Sequence, residues 1–396
     1  MESTQVLDYA CSAYSSHELR TYFCYLQTHL TDKRDNRGKR HYLPFVLCGV
    51  FLAMLCGKVL PAEIARFLAR HHLLLCDLLD FNAPKAISDA QLRRVLSKVC
   101  SQEISLFHER YFAWALLFQS SPASAVPTPW ISFDGKDLRG TIDGVLGEKR
   151  DLCIVRALSQ EAKLSFGNVF YQGNKDSEII EVRKLLTEKN LASACMTFDA
   201  LHCQVETLDM VEDAKGVYVV QVKGNQATLQ EDILSTIQLN SPTATYKEHD
   251  KGHGRIESRE ASFFTTKGIV FEEKWQNAGF KQIISLKRKT LHQKTGKIQE
   301  EHCLFITNTD RHSSQEIAQT IRKHWGIESD NWVRDVTFRE DKIRSKNNEM
   351  IKVLAVFITA TLNLIRQQKH KNIKQAIEDY QANPRLAAEI VKNIFL

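Results

Sequence analysis

Residues 131–140 read Ile-Ser-Phe-Asp-Gly-Lys-Asp-Leu-Arg-Gly, and residues 195–204 read Cys-Met-Thr-Phe-Asp-Ala-Leu-His-Cys-Gln. Each begins as an apolar strand and stops on a carboxylate, Asp134 or Asp199, with Phe one residue before it and a hydroxyl two before. Side chains alternate along a strand, so each aspartate shares a face with Ser132 or Thr197 and opposes its phenylalanine. If the strands at 130–134 and 195–199 are neighbours in one sheet, the two carboxylates meet at the same edge. Ligand sites in open α/β sheets lie beyond strand ends, which suits that placement. Two like charges ~4 Å apart repel by about 4 kcal/mol at an effective dielectric near 20. Such a pair calls for a proton or a cation between its members, and with oxygen ligands the natural cation is Mg2+ or Mn2+. Ser132 and Thr197 read as structural hydroxyls rather than nucleophiles.

Outward from this pair, strand patterns at 130–134, 152–158, 165–171, 195–199 and 217–223 are interleaved with helix patterns at about 176–189 and 203–214. That order predicts an α/β sheet mixing antiparallel and parallel pairs. Residues 243–302 alternate polar and apolar positions without a clear helix, which predicts a mostly β insertion. Helix resumes at Ser313-Ser-Gln-Glu316, a capping-box pattern. In the helix that follows, Ile317, Ile321, Trp325 and Trp332 form an apolar stripe. At ~100° per residue Glu328 lies within it, ~20° from Ile317, with His324 one turn before. A glutamate pointing inward needs a partner, because burying an unpaired charge is costly. Asp335 falls on the same stripe, so periodicity alone leaves both acids open.

Upstream of residue 120 the pattern is helical. A basic run at 33–40 leads into Leu43–Gly57, the strongest apolar run. It is shorter than the ~18–20 residues needed to span a bilayer and contains Pro44 and Gly49, so a buried core helix is expected. Pro61 stands at a first helical position. Ser88-Asp-Ala-Gln91 is a second capping-box pattern, after which Leu92, Val95, Leu96 and Val99 share one face and Arg93, Arg94 and Lys98 the other. A basic outer face suits a DNA-binding module and equally a solvated structural bundle. Residues 120–129 hold three of the chain's eight prolines and read as a linker.

The totals bound the class. A chain of 396 residues has room for two to three domains, and 43% apolar with 25% charged residues is ordinary for a globular protein. The formal charge of +6 and pI near 8.7 permit a nucleic-acid partner without demanding one. The ten cysteines include no CxxC pair, and Cys48, Cys56 and Cys153 interrupt apolar runs. Reduced thiols in a cytoplasmic protein are expected, rather than a zinc site or disulfide framework. The N-terminal residues have neither a basic nor an apolar leader region, so no signal peptide is indicated.

Taken together, ISFDGKDLRG, TFDALHCQ with YVVQVKGNQ (218–226), and HWGIESDNWVRDVTFRED (324–341) resemble the DDE transposases of bacterial insertion sequences. Within them the likeness is to the ISAs-type, or H-repeat-associated, branch. GNKDSEI (173–179) and GHGRIESR (252–259) are similar as well, and the resemblance runs from about residue 40 to 366. It implies a ribonuclease-H-like core at 130–242 and 303–366, interrupted by a β-rich insertion at 243–302. It also implies a transposase-associated, DNA-binding helical domain at 1–119, joined by the linker at 120–129, and a helical tail at 367–396. The acidic triad falls on Asp134, Asp199 and Glu328, spaced 199 − 134 = 65 and 328 − 199 = 129 positions apart. The chain departs from the broader signature Tyr-x2-Arg-x3-Glu-x6-Lys, having Ile321, His324 and Asp335 at the Tyr, Arg and Lys positions, and it has Asp137 where the branch more often shows Thr.

The activity implied is cleavage of DNA at the element's ends and strand transfer into target DNA, using two Mg2+ or Mn2+ ions held by Asp134, Asp199 and Glu328. Lys136, Arg139, His202, Gln204, Lys223, Gln226, His253, Arg255, Arg259 and His324 are the expected contacts to DNA. The partners implied are double-stranded DNA, as terminal inverted repeats and target, and further copies of the chain assembled on it; no membrane is expected. Two other readings are a catalytically inactive DNA-binding remnant of a mobile element and a ribonuclease-H-like nuclease.

Overall fold

The computed structural model describes residues 18–36, 39–112, 129–140, 152–172, 175–252, 254–368 and 370–391. Most of the expected linker, His253 and the GN of GNKDSEI therefore lie outside the described residues. Six helices come first: α1 (Glu18–His29), α2 (Leu43–Leu55), α3 (Pro61–Arg70), α4 (His72–Leu79), α5 (Asp89–Leu96) and α6 (Ser101–Tyr111). Every residue of α2 is buried, as an all-round apolar helix requires. At Gly49 the helix lies so close to α3 that a Cβ would stand 2.2 Å from a Leu68 methyl. Helix α3 starts on Pro61. Helix α5 carries the complete capping box: Gln91 N–H donates to the Ser88 hydroxyl, and the Gln91 side chain accepts from Ser88 N–H.

A nine-stranded mixed sheet follows, in the order β3-β2-β1-β4-β5-β9-β8-β7-β6. Strands β1 (Trp130–Asp137), β2 (Leu152–Ser159) and β3 (Ser165–Gln172) form an antiparallel meander. Helix α7 (Lys175–Glu188) then leads to β4 (Cys195–Phe198), and α8 (Val205–Asp213) leads to β5 (Val217–Val222); both strands run parallel to β1. After α9 (Ala227–Leu239) come β6 (Ala244–Gly252), β7 (Arg255–Thr265), β8 (Gln282–His292) and β9 (Ile298–Thr307). These four do not form a layer of their own. Strand β9 pairs with β5, and β8, β7 and β6 continue outward from it.

Two expectations need correction. Strand β1 does not stop on Asp134: it pairs with β4 only as far as Ser132 but stays hydrogen-bonded to β2 through Asp137. A strand can end on one side and not the other. The helix after Ser313 is not continuous either. It is α10 (Ser314–His324) and α11 (Gly326–Val336), broken at Trp325, whose indole lies 5.0 Å beneath the Arg288 guanidinium of β8. The break resets the helical phase, so Ile327, Asp330 and Arg334 face inward while Trp332, read as part of the buried stripe, is 62% exposed.

Helix α12 (Asn348–Gln367) is the long core helix, packed against α2, α6 and β3. It is long and apolar enough to cross a membrane, but 83% of its most apolar window is buried inside the protein. The final helices, α13 (Ile373–Ala382) and α14 (Pro384–Glu389), return to the first ones, where the Cys56 thiol donates to the Tyr380 carbonyl. One contiguous apolar core joins the N-terminal helices, the sheet and α12.

Candidate active site

The two matching segments lie in register. Trp130, Ile131 and Ser132 of β1 pair with Cys195, Met196 and Thr197 of β4, a constant offset of 65 that carries Phe133 onto Phe198 and Asp134 onto Asp199. The Ser132 and Thr197 hydroxyls are 3.0 Å apart on one face, and the two phenylalanine rings stack 5.4 Å apart on the other. Strand β4 ends at Phe198, so past this point β1 has no neighbour on that side and the aspartates emerge at an open edge. Asp199 caps the short turn at 200–202, its Oδ1 accepting from Leu201 N–H at 3.0 Å.

A buried polar row underlies the aspartates. The Gln160 amide donates to both hydroxyls, at 2.9 Å to Ser132 and 3.0 Å to Thr197, and His324 Nδ1 lies 2.8 Å from Thr197 Oγ1. Burial pushes the His324 imidazole down to about 4, even with Asp199 nearby, so it is neutral at pH 7. It braces the β4 end rather than presenting a cation.

Asp134 is the electrostatic centre. Burial pushes its carboxyl up to about 7, and Glu178, Asp199 and Glu328 add to the rise; a 2.7 Å hydrogen bond from the Asn331 amide opposes it. The fold thus brings Asp199, Glu328 and Glu178 within electrostatic reach of Asp134. Glu328 does not point into the core as the stripe predicted: it is exposed, in the first turn of α11, where the helix dipole favours an acid. Sequence reasoning missed two members, Glu178 and Asn331. Asn331 is three residues beyond Glu328 on the same helix, spacing that places both on one face.

As they stand, no three His, Cys, Asp or Glu side chains among the described residues are gathered closely enough to grip an ion. The donor set is nonetheless hard oxygen throughout, and oxygen donors are what Mg2+ and Mn2+ select. Three carboxylates around a half-buried Asp134 also make a site whose charge favours a divalent cation.

A second acidic group adjoins the first and is fully paired. Lys136 Nζ donates to Asp335 at 2.5 Å, Glu340 at 2.9 Å and Asp341 at 3.4 Å. Arg156 donates to Glu340 at 2.8 Å, and Arg334, with no exposed surface, to Asp330 at 2.6 Å. Burial alone would raise Asp330, but Arg334 and Arg366 hold it down at about 2. Glu340 is likewise kept low by Arg156 and Lys136 against its own burial.

The expected DNA contacts divide accordingly. Arg139, Lys223 and Arg255 are exposed. Lys136 is taken up by the three carboxylates above, and Arg259 is buried against Glu248 and Glu257. Gln204 and Gln226 donate to the Leu201 and Cys203 carbonyls, holding the turn after Asp199. His202 is buried beside Glu178, and His324 is occupied by Thr197.

Two families match the chain: one described as DDE_Tnp_1-associated over residues 26–115, and one described as Transposase DDE domain over 174–364. The chain is 29% identical over 250 residues to the candidate transposase YncI of Escherichia coli O157:H7, covering 60% of this chain and 62% of that one. It is 23% identical over 346 residues to the H repeat-associated candidate transposase YhhI of E. coli K12, covering 86% and 89%. To the H repeat-associated candidate transposase YbfD of the same strain it is 28% identical over 234 residues, covering 58% and 88%.

Proposed function

Because this chain belongs to the DDE transposases, among the H-repeat-associated proteins, we propose that Asp134, Asp199 and Glu328 are the acidic triad of a metal-dependent transposase. It cleaves DNA strands at the ends of its element and joins them to target DNA. The observation that carries this reading is the in-register exit of Asp134 and Asp199 from neighbouring parallel strands, with Glu328 of α11 in reach of Asp134.

When bound, a pair of divalent ions activates the attacking oxygen and stabilises the charge that builds on the transferring phosphoryl group. The chain's own part is to hold its carboxylates in place. Asp134, which feels both of the other triad acids, would hold the ions together with Asp199 and Glu328. Asn331 fixes one Asp134 oxygen through a 2.7 Å hydrogen bond. Gln160, Ser132, Thr197 and neutral His324 keep the two strand ends from separating. Water attacks the phosphorus first and the 3′-oxygen leaves; the freed 3′-hydroxyl then attacks a target phosphodiester. No covalent bond to the protein is formed. Arg139, Lys223 and Arg255 are positioned to contact phosphates, which fixes register without reading sequence.

In this reading the segments at 130–242 and 303–366 are a ribonuclease-H-like core, the first helices bind DNA, and the protein acts in the cytoplasm. Pairing two element ends needs at least two copies. The test is to incubate the protein with DNA carrying the element's ends, with and without Mg2+. Metal-dependent nicking at the ends followed by strand transfer is expected, and it should vanish in Asp134→Asn. Binding without cleavage would indicate a DNA-binding remnant, and cleavage indifferent to the end sequence a nuclease.

A further inference from the structure

Glu178 lies in the first turn of α7, where the helix dipole favours any acid. That alone would leave it in solvent. Instead its side chain is folded onto the strand carrying Asp134: a Cβ on Gly135 would stand 2.2 Å from Glu178 Oε2 and 2.7 Å from Oε1. Glycine at 135 therefore leaves room for this carboxylate. The Tyr171 hydroxyl donates to Oε2 at 3.1 Å. On the other side stands His202, 1% exposed, with Nε2 3.4 Å from Glu178 Oε1 and neither ring nitrogen hydrogen-bonded among the described residues. A buried imidazole whose nitrogens make no hydrogen bond is costly, and the Glu178 carboxylate is the polar group that stands next to it.

We propose that Glu178 is a fourth carboxylate donor for the divalent cation, with Tyr171 and His202 as the positioning residues that orient it. This rests on the transposase reading of the site and adds to it a donor outside the triad. A ligating carboxylate is ordinarily oriented by its neighbours; the Tyr171 hydroxyl hydrogen-bonds one Glu178 oxygen, and the buried His202 ring stands 3.4 Å from the other. Each oxygen offers two lone pairs, so these contacts leave sites free for a cation. His202 follows Asp199 by three residues, so the turn at 200–202 ties the orientation of Glu178 to that of Asp199. The braced carboxylate gives the cluster an arm from α7, beside those from the two strand ends and from α11.

The test is Mn2+ titration of the full chain at pH 7.5 without DNA, reading free Mn2+ by electron paramagnetic resonance. Wild type, Glu178→Gln, Tyr171→Phe and Asp134→Asn are compared, with circular dichroism to check folding. Glu178→Gln should weaken Mn2+ binding at least about tenfold, and Tyr171→Phe, which keeps all four carboxylates, should weaken it by a smaller factor. Wild-type binding by Glu178→Gln, alongside loss in Asp134→Asn, would overturn the proposal and leave the triad standing. Should Glu178→Gln fail to fold, wild-type binding by Tyr171→Phe overturns it instead. Wild-type binding by Asp134→Asn would overturn the triad reading and this proposal with it.

Discussion

Helix α11 sends carboxylates to two neighbouring places, and the protein treats them in opposite ways. Asp330 meets Arg334 and Arg366, and Asp335 meets Lys136; just beyond the helix, Glu340 meets Arg156 and Lys136. These acids are matched with cations, and the two most buried are held below the usual carboxylate range. Glu328, two residues before Asp330 on the same helix, joins Asp134, Asp199 and Glu178 instead. There the only donor described at Asp134 is a neutral amide, and its carboxyl rises to about 7. A buried charge that is paired is scaffold; a buried charge left among its own kind costs stability and is retained where a ligand uses it. The paired network fixes α11, and with it the approach of Glu328 to the strand ends.

The comparison breaks most easily on the paired side. Arg334→Met leaves the buried Asp330 with Arg366 as its one remaining ion-pair partner among the described residues and should cost roughly 3 kcal/mol of stability, measured by urea unfolding. A loss below ~1 kcal/mol would mean that the network is not what holds α11. On the unpaired side, Mn2+ at about 100 times its dissociation constant should stabilise the protein at pH 8 by about 2.7 kcal/mol, and less at pH 5, where Asp134 is protonated. Equal stabilisation at both pH values would remove Asp134 from the ion site.

Asp134→Asn tests the same residue without an ion. Its folded value, about 7, lies above the ordinary 3.8. The native state therefore prefers the proton, and the favourable contribution present at low pH is lost as pH rises from about 4 through 7. The variant should lack this decline and be more stable than wild type at pH 8 by roughly 1–3 kcal/mol, read from melts in chelator, while losing end cleavage. The smallest effect is expected for Thr197→Val, which removes one hydroxyl from the row beneath the aspartates and should cost about 1 kcal/mol.

Much of this was legible in the sequence because the two segments repeat one pattern: Ser-Phe-Asp and Thr-Phe-Asp specify the same strand face, and their common offset is the register observed. The five strand patterns from 130 to 223 and the Ser88 cap follow from local chemistry in the same way. What escaped depends on tertiary neighbours. The continuation of β1 past Asp134 is decided by β2, not by its own residues. The stripe through Trp332 fails because the chain breaks at Trp325, beneath an arginine from β8. Lys136 and Arg259 show their charge in the sequence but not the carboxylates that absorb it. Glu178 belongs to the acid cluster only because α7 crosses the sheet beside Gly135.

The most direct measurement replaces the ion with Fe2+, adds ascorbate and peroxide, and maps where the backbone is cut. Cuts close to residues 134, 199 and 328, suppressed by excess Mg2+, are the predicted result. Cuts confined to other segments, or indifferent to Mg2+, would contradict the claim that these carboxylates hold the metal.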